Sequence, residues 1–267
     1  MAAPAVRVLE HELLVYRRSW RGSVFSSFLS PVLFLAAMGL GLGSLVDASA
    51  GAGTSTAAAN AAALAGVTYL AFLAPGLLAS TAMQTAASES TFPVMAGIVW
   101  VKSYHGMLAA PIRTADIVVG KLVYIGLRLL VVTGVFFVVS VAFGAISRPE
   151  AILAVPAALL TGLAFAAPIA AFSATQRDAS GFNSLFRFGV IPLFLFSGTF
   201  FPIEQLPALL QPIAWLTPLW HGVDLCRSLA LGTAEPVLTV VHLAYLATMT
   251  ALGVAAAFTT FRRRLVK

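Results

Sequence analysis

Six apolar runs, each about as long as a bilayer is thick and nearly free of charge, constrain this chain more than any other feature. A hydrocarbon core about 30 Å thick is crossed by roughly 20 apolar residues in a helix. The runs are continuous and rich in Leu, Ala and Val, without the alternating segments of about 10 residues that a membrane barrel requires. In lipid the backbone must satisfy its own hydrogen bonds, so continuous runs mean helices. Composition agrees: 60% of residues are hydrophobic, 10% are charged and mean hydropathy is +0.95. The expected fold is an all-α integral membrane protein, a single domain over 1–267 with transmembrane helices at about 24–46, 64–87, 117–143, 151–174, 182–201 and 237–261.

The segments between the runs carry the remaining information. Over 4–21, Val6, Leu9, Leu13, Leu14 and Tyr16 share a helical face among Arg7, Glu10, His11, Glu12, Arg17 and Arg18. This reads as an interfacial helix on the membrane, with a charged juxtamembrane tail as the alternative. Gly39 and Gly43 form a small-xxx-small pair suited to close helix packing. The Gly, Ala, Ser and Thr stretch at 47–60 reads as a flexible loop. A mixed segment over 88–116 holds Glu89, Pro93, Trp100, Lys102, His105, Pro111 and Arg113 and is expected in the cytoplasm. Four prolines, Pro202, Pro207, Pro212 and Pro218, forbid one continuous helix over 202–232. Two short helices that enter and leave the membrane, or lie at its surface, fit better, with Trp215 and Trp220 as anchors.

Lys and Arg in short loops set orientation. With both termini inside, thirteen basic residues fall on the cytoplasmic side (Arg7, Arg17, Arg18, Arg21, Lys102, Arg113, Lys121, Arg177, Arg187, Arg262, Arg263, Arg264 and Lys267) and two outside, Arg148 and Arg227. The net charge of +6 is therefore topological, and no nucleic-acid partner is expected. A lone cysteine, Cys226, excludes an internal disulfide and reads as a small buried apolar residue.

Catalytic patterns are missing, and no metal or cofactor site is expected in this chain. Gly120-Lys121 is followed by Leu122 and lacks the earlier glycine of a phosphate loop. His221 and Asp224 lie one helical turn apart without a nucleophile, and an Asp224–Arg227 pair at i,i+3 is the favoured reading. Arg128 stands seven residues after Lys121, about 10 Å further along a helix. It is a functional intramembrane charge or an arginine that snorkels to the interface.

Two stretches carry a family resemblance. One is Phe194-Leu195-Phe196-Ser197-Gly198-Thr199-Phe200-Phe201-Pro202, then Leu206-Pro207, then Thr217-Pro218-Leu219-Trp220-His221-Gly222-Val223-Asp224-Leu225, with Arg227 and Gly232. The other is Met107-Leu108-Ala109-Ala110-Pro111 with Asp116-Ile117-Val118-Val119-Gly120-Lys121. Together they resemble the type-2 ABC exporter permeases, in the branch of the nodulation-factor (lipo-oligosaccharide) and daunorubicin exporters.

That resemblance implies a permease subunit in a bacterial cell membrane, pairing with a second permease chain and with separate ATPase subunits that hold the ATP and magnesium. It implies a coupling helix within 88–113, carrying Trp100, Lys102, Tyr104, His105, Leu108, Pro111 and Arg113, in place of the family's commoner acidic, arginine-rich run. The opening helix over 1–21 would be a gate helix, and spans one, two and five would line the dimer seam. An extracellular re-entrant gate over 202–232 would involve Ser197, Gly198, Phe200, Phe201, Pro202, Pro218, His221, Asp224 and Arg227. The implied activity is ATP-driven export of an amphipathic drug, glycolipid or lipid-linked glycan. The alternatives are an ion-gradient carrier, for which spans one, two, four and six lack interior charge, a membrane enzyme, and a non-transporting scaffold subunit.

Overall fold

The computed structural model describes residues 4–37, Gly41 and 67–266. The Gly39–Gly43 pair, the 47–60 loop, Lys267 and the facing ends of the first two expected spans lie outside the described residues. Regular structure among the described residues is entirely helical. Helix α1 spans Pro4–Leu35. Helix α2, Tyr69–Ser90, starts at Thr68, whose hydroxyl accepts the Ala71 N–H. Short α3 (Phe92–Met95) and a π-helical turn (Ala96–Trp100) prolong it, and α4 follows at Ser103–Leu108. Next come α5 (Thr114–Ala142) and, after a 3₁₀ turn at Pro149–Leu153, α6 (Ala154–Thr175). Helices α7 (Ser180–Leu185) and α8 (Ile191–Phe196) flank a second π turn. Helices α9 (Gln211–Trp215), α10 (Pro218–Leu231) and α11 (Pro236–Leu265) complete the chain.

Four helical segments are long and apolar enough to cross a bilayer: Tyr69–Trp100, Thr114–Ala142, Pro149–Thr175 and Pro236–Leu265. The last three match the expected third, fourth and sixth spans to within a few residues.

Three boundaries differ from expectation. No break separates an interfacial helix from the start of a first span: α1 runs unbroken from Pro4 into that span as far as Leu35, and its polar residues on one side are met by α5. The second span continues past Ala87 to Trp100. Glu89, which reads as the end of an apolar run, is paired with Arg128 (3.2 Å), and the Thr91 hydroxyl donates to the Ala87 carbonyl (2.9 Å), carrying the chain across the bend. The fifth run is helical only over Ser180–Phe196, shorter than a full span, and stops five residues before 201. It ends in a turn where Gly198 has φ +80°, a left-handed conformation that an L side chain resists.

Helix α6 is the centre of the fold, packing against α2, α5, α10 and α11. Besides Val155, Phe165 and Ile169, its buried residues are small, among them Ala154, Ala158, Thr161, Gly162, Ala166 and Ala170, and they let four helices approach where lipid supplies no hydrophobic drive. Helix α11 is peripheral: 17% of its apolar window is buried, against 72% for the Tyr69–Trp100 segment. Helices α1 and α5 run parallel. Val8 meets Gly120, Glu12 meets Lys121, and Tyr16 meets Arg128, in the same order along both. A Cβ on Gly120 would stand 2.6 Å from that of Val8, so glycine is what permits this approach.

Candidate functional site

The polar residues gather in two places, one at each end of the bundle. At the first, Lys121 donates to Glu12 (2.9 Å) with 2% of its side chain exposed. The Tyr104 hydroxyl donates to the other oxygen of Glu12 (3.4 Å). Two turns further along α5, Arg128 donates to the Tyr16 hydroxyl (2.8 Å) and to Glu89 (3.2 Å), with its guanidinium over the Tyr16 ring. Neither cation can remain buried unpaired, because an uncompensated charge away from water costs several kcal/mol. The result is a latch of two pairs tying α1, the end of α2, the α4 segment and α5 together. Of the two readings of Arg128, the structure shows a charge paired inside the bundle rather than one reaching outward.

The α4 segment hangs from this latch. Tyr104 is 1% exposed, packed on Phe261 and Gly97. Burial first, then the charge and hydrogen bond of Glu12, hold its phenol well above the ordinary tyrosine range, so it stays a donor. Around it Trp100, Val101, Lys102, His105, Pro111 and Arg113 are exposed, and Leu108 is half-buried. Tyr104, grouped with these from the sequence, therefore acts inward as the anchor. Lys102 holds φ 58°, a left-handed conformation costing an L residue roughly 1–2 kcal/mol. It turns the chain sharply between the π turn and α4.

At the other end, the turn after α8 is pinned from several sides. Arg227 of α10 donates to the carbonyls of Gly198 (2.8 Å), Thr199 (3.3 Å) and Phe72 (3.1 Å) and lies over the Phe72 ring. Thr199 meets Ser80 (2.8 Å), Ser197 meets Thr217 (3.3 Å), and the Tyr69 hydroxyl donates to the Phe200 carbonyl (3.3 Å). Phe200 packs edge-on against Phe194, while Phe201 and Pro202 lead into a 3₁₀ turn at Ile203–Gln205. Pro218 opens α10, and Cys226 is fully buried, as read from the sequence.

The expected Asp224–Arg227 pair does not form. Arg227 is drawn to backbone carbonyls left open by the turn, and Asp224 faces α11 instead, meeting His242 Nε2 (3.0 Å). His242 Nδ1 lies 2.7 Å from His221 Nδ1. If Nε2–H donates to Asp224, a neutral His242 presents a bare Nδ1 that accepts from His221. His221 and Asp224 are thus joined through a third residue, with Tyr245 stacked on His221 and donating to the Leu216 carbonyl (2.6 Å).

The family model of the ABC-2 type transporter matches residues 6–231, and both polar centres begin within that stretch. The chain belongs to the ABC-2 type transporter family. Nodulation protein J of Rhizobium leguminosarum bv. trifolii is 29% identical over 82% of this chain and 81% of its own. Nodulation protein J of R. leguminosarum bv. viciae is 27% identical over 97% and 94%. The probable multidrug ABC transporter permease YbhR of Escherichia coli is 31% identical over 40% of this chain and 28% of its own. This ABC-2 chain is an integral membrane protein and a transport subunit, not an ATPase.

Some residues that build the two polar centres of the ABC-2 chain are not marked by the sequence pattern. Glu12, Tyr16 and Lys121 stood as topological or facial residues, and Glu89 as a loop residue. The available signal was Lys121 and Arg128 themselves, two cations two turns apart in an apolar run that each need a buried partner. His242 also went unremarked, although an ionisable group inside an otherwise uncharged span is itself a signal.

Proposed function

We propose that this permease exports an amphipathic molecule from the cytoplasm or inner leaflet, driven by a separate ATPase subunit that carries the ATP and magnesium. The observation that carries the reading is the α4 segment: an exposed Trp100, Lys102, His105, Pro111 and Arg113 borne on a buried tyrosine that grips Glu12 of α1 and packs on Phe261 of α11. An ATPase subunit pressing on that surface would move Tyr104, and through Glu12 the opening helix. The residues at 202–232 are the outer gate in this reading, six spans cross the membrane with both termini inside, and a second permease chain completes the pathway. Support for the orientation comes from one end of the bundle. Arg113 and Arg262 line one cleft there, and Arg264 donates to the Gln176 carbonyl (3.4 Å) next to Arg177. The similarity to a probable multidrug permease favours a drug-like cargo, and the resemblance to the nodulation-factor (lipo-oligosaccharide) exporters a glycolipid-like one. The test is inside-out vesicles holding permease and ATPase, offered amphipathic fluorescent probes. ATP-dependent accumulation inside the vesicle is expected; accumulation driven by an ion gradient without ATP would point to a carrier.

A further inference from the structure

Two adjoining clefts of about 510 and 560 Å³ open where α11 ends. They share Phe258, Arg262 and Val266, with Arg263 lining one and Arg113 and Leu108 the other. No acidic side chain lines either, and among the described residues none of the three arginines has an ion-pair partner. The nearby Asp116 accepts from the Arg113 backbone N–H (2.8 Å) and caps α5. Phe258 stands one turn before Arg262 on a helix of membrane length, so hydrocarbon-facing surface gives way to cations within the cleft itself. Val266, beside them, is 62% exposed.

We propose that this double cleft is a binding site for an anionic phospholipid, its phosphate on Arg262 and Arg263 and its acyl chains along Phe258. A small soluble anion would satisfy the cations but leave the apolar lining in water. A phospholipid covers both, and basic pockets where helices leave the membrane suit such headgroups.

The experiment is native mass spectrometry of the full chain released from bilayers of phosphatidylglycerol and phosphatidylcholine in equal amounts. Wild type should retain phosphatidylglycerol selectively. Arg262→Gln with Arg263→Gln should lower that retention by about fivefold per arginine removed, and the corresponding lysine variants should restore it. Arg17→Gln with Arg18→Gln, exposed cations on α1, should leave it unchanged. Equal loss in both glutamine pairs would mean diffuse attraction rather than a site, and displacement by millimolar inorganic phosphate would mean a simple anion site. Either result, or unselective retention by wild type, overturns the proposal. The lipid readout needs no ATPase, so it is independent of the transport reading.

Discussion

Glu12 is the residue on which the latch turns, since it meets both Lys121 and Tyr104. Glu12→Gln leaves Lys121 buried without a counter-charge and should cost about 3 kcal/mol or more, read as a lower melting temperature of the detergent-solubilised chain. Exchanging the charges, Glu12→Lys with Lys121→Glu, should recover much of the loss; a swap no better than the single variant would show that the pair does not hold the helices. Arg227→Lys should also destabilise, because a lysine cannot span three carbonyls and a ring at once. Such partnerships were only half legible beforehand. Lys121 and Arg128 are visibly costly in an apolar run, but their partners lie 109 and 39 residues away, and no local pattern names them. Asp224 illustrates the converse: the nearest cation in sequence, Arg227, lost to His242 because three backbone carbonyls needed a donor more.

Among the elements, the two sharp turns make opposite predictions. Gly198, at φ +80°, has Ile203 3.1 Å from where a Cβ would stand. Gly198→Ala should therefore destabilise by about 1 kcal/mol or more, measured by thermal unfolding. Lys102 is already an L residue in left-handed backbone, so Lys102→Gly should stabilise by about 1 kcal/mol; a destabilised variant would mean that the lysine side chain has a partner holding the turn. Element boundaries were legible where polarity and helix breaking coincide, as at the Ser147-Arg148-Pro149-Glu150 turn before α6. They were misread where tertiary pairing hides a charge, as at Glu89, or where a helix stops for backbone reasons, as at Phe196. The continuity of α1 was hidden likewise, because its polar face reads as interfacial until α5 is seen to cover it.

For the whole molecule, the apolar helical architecture and the ABC-2 assignment were readable from run length and from the residues around Ser197–Pro202 and Pro218–Arg227. What binds together the distant parts was not, because the latch joins four elements and the turn after α8 is held from α2 and α10. In the proposed mechanism, the surface around the latch receives an ATPase subunit and passes its motion to α1. The most direct measurement is co-purification of the full chain with the products of its neighbouring genes, followed by ATPase assay of whatever complex elutes. The account predicts a stable complex that Trp100→Ala with His105→Ala dissociates, and that Glu12→Gln leaves assembled but at least severalfold less responsive to transported probe. A permease that elutes alone, or a Trp100 and His105 variant that binds and couples as wild type does, would contradict it.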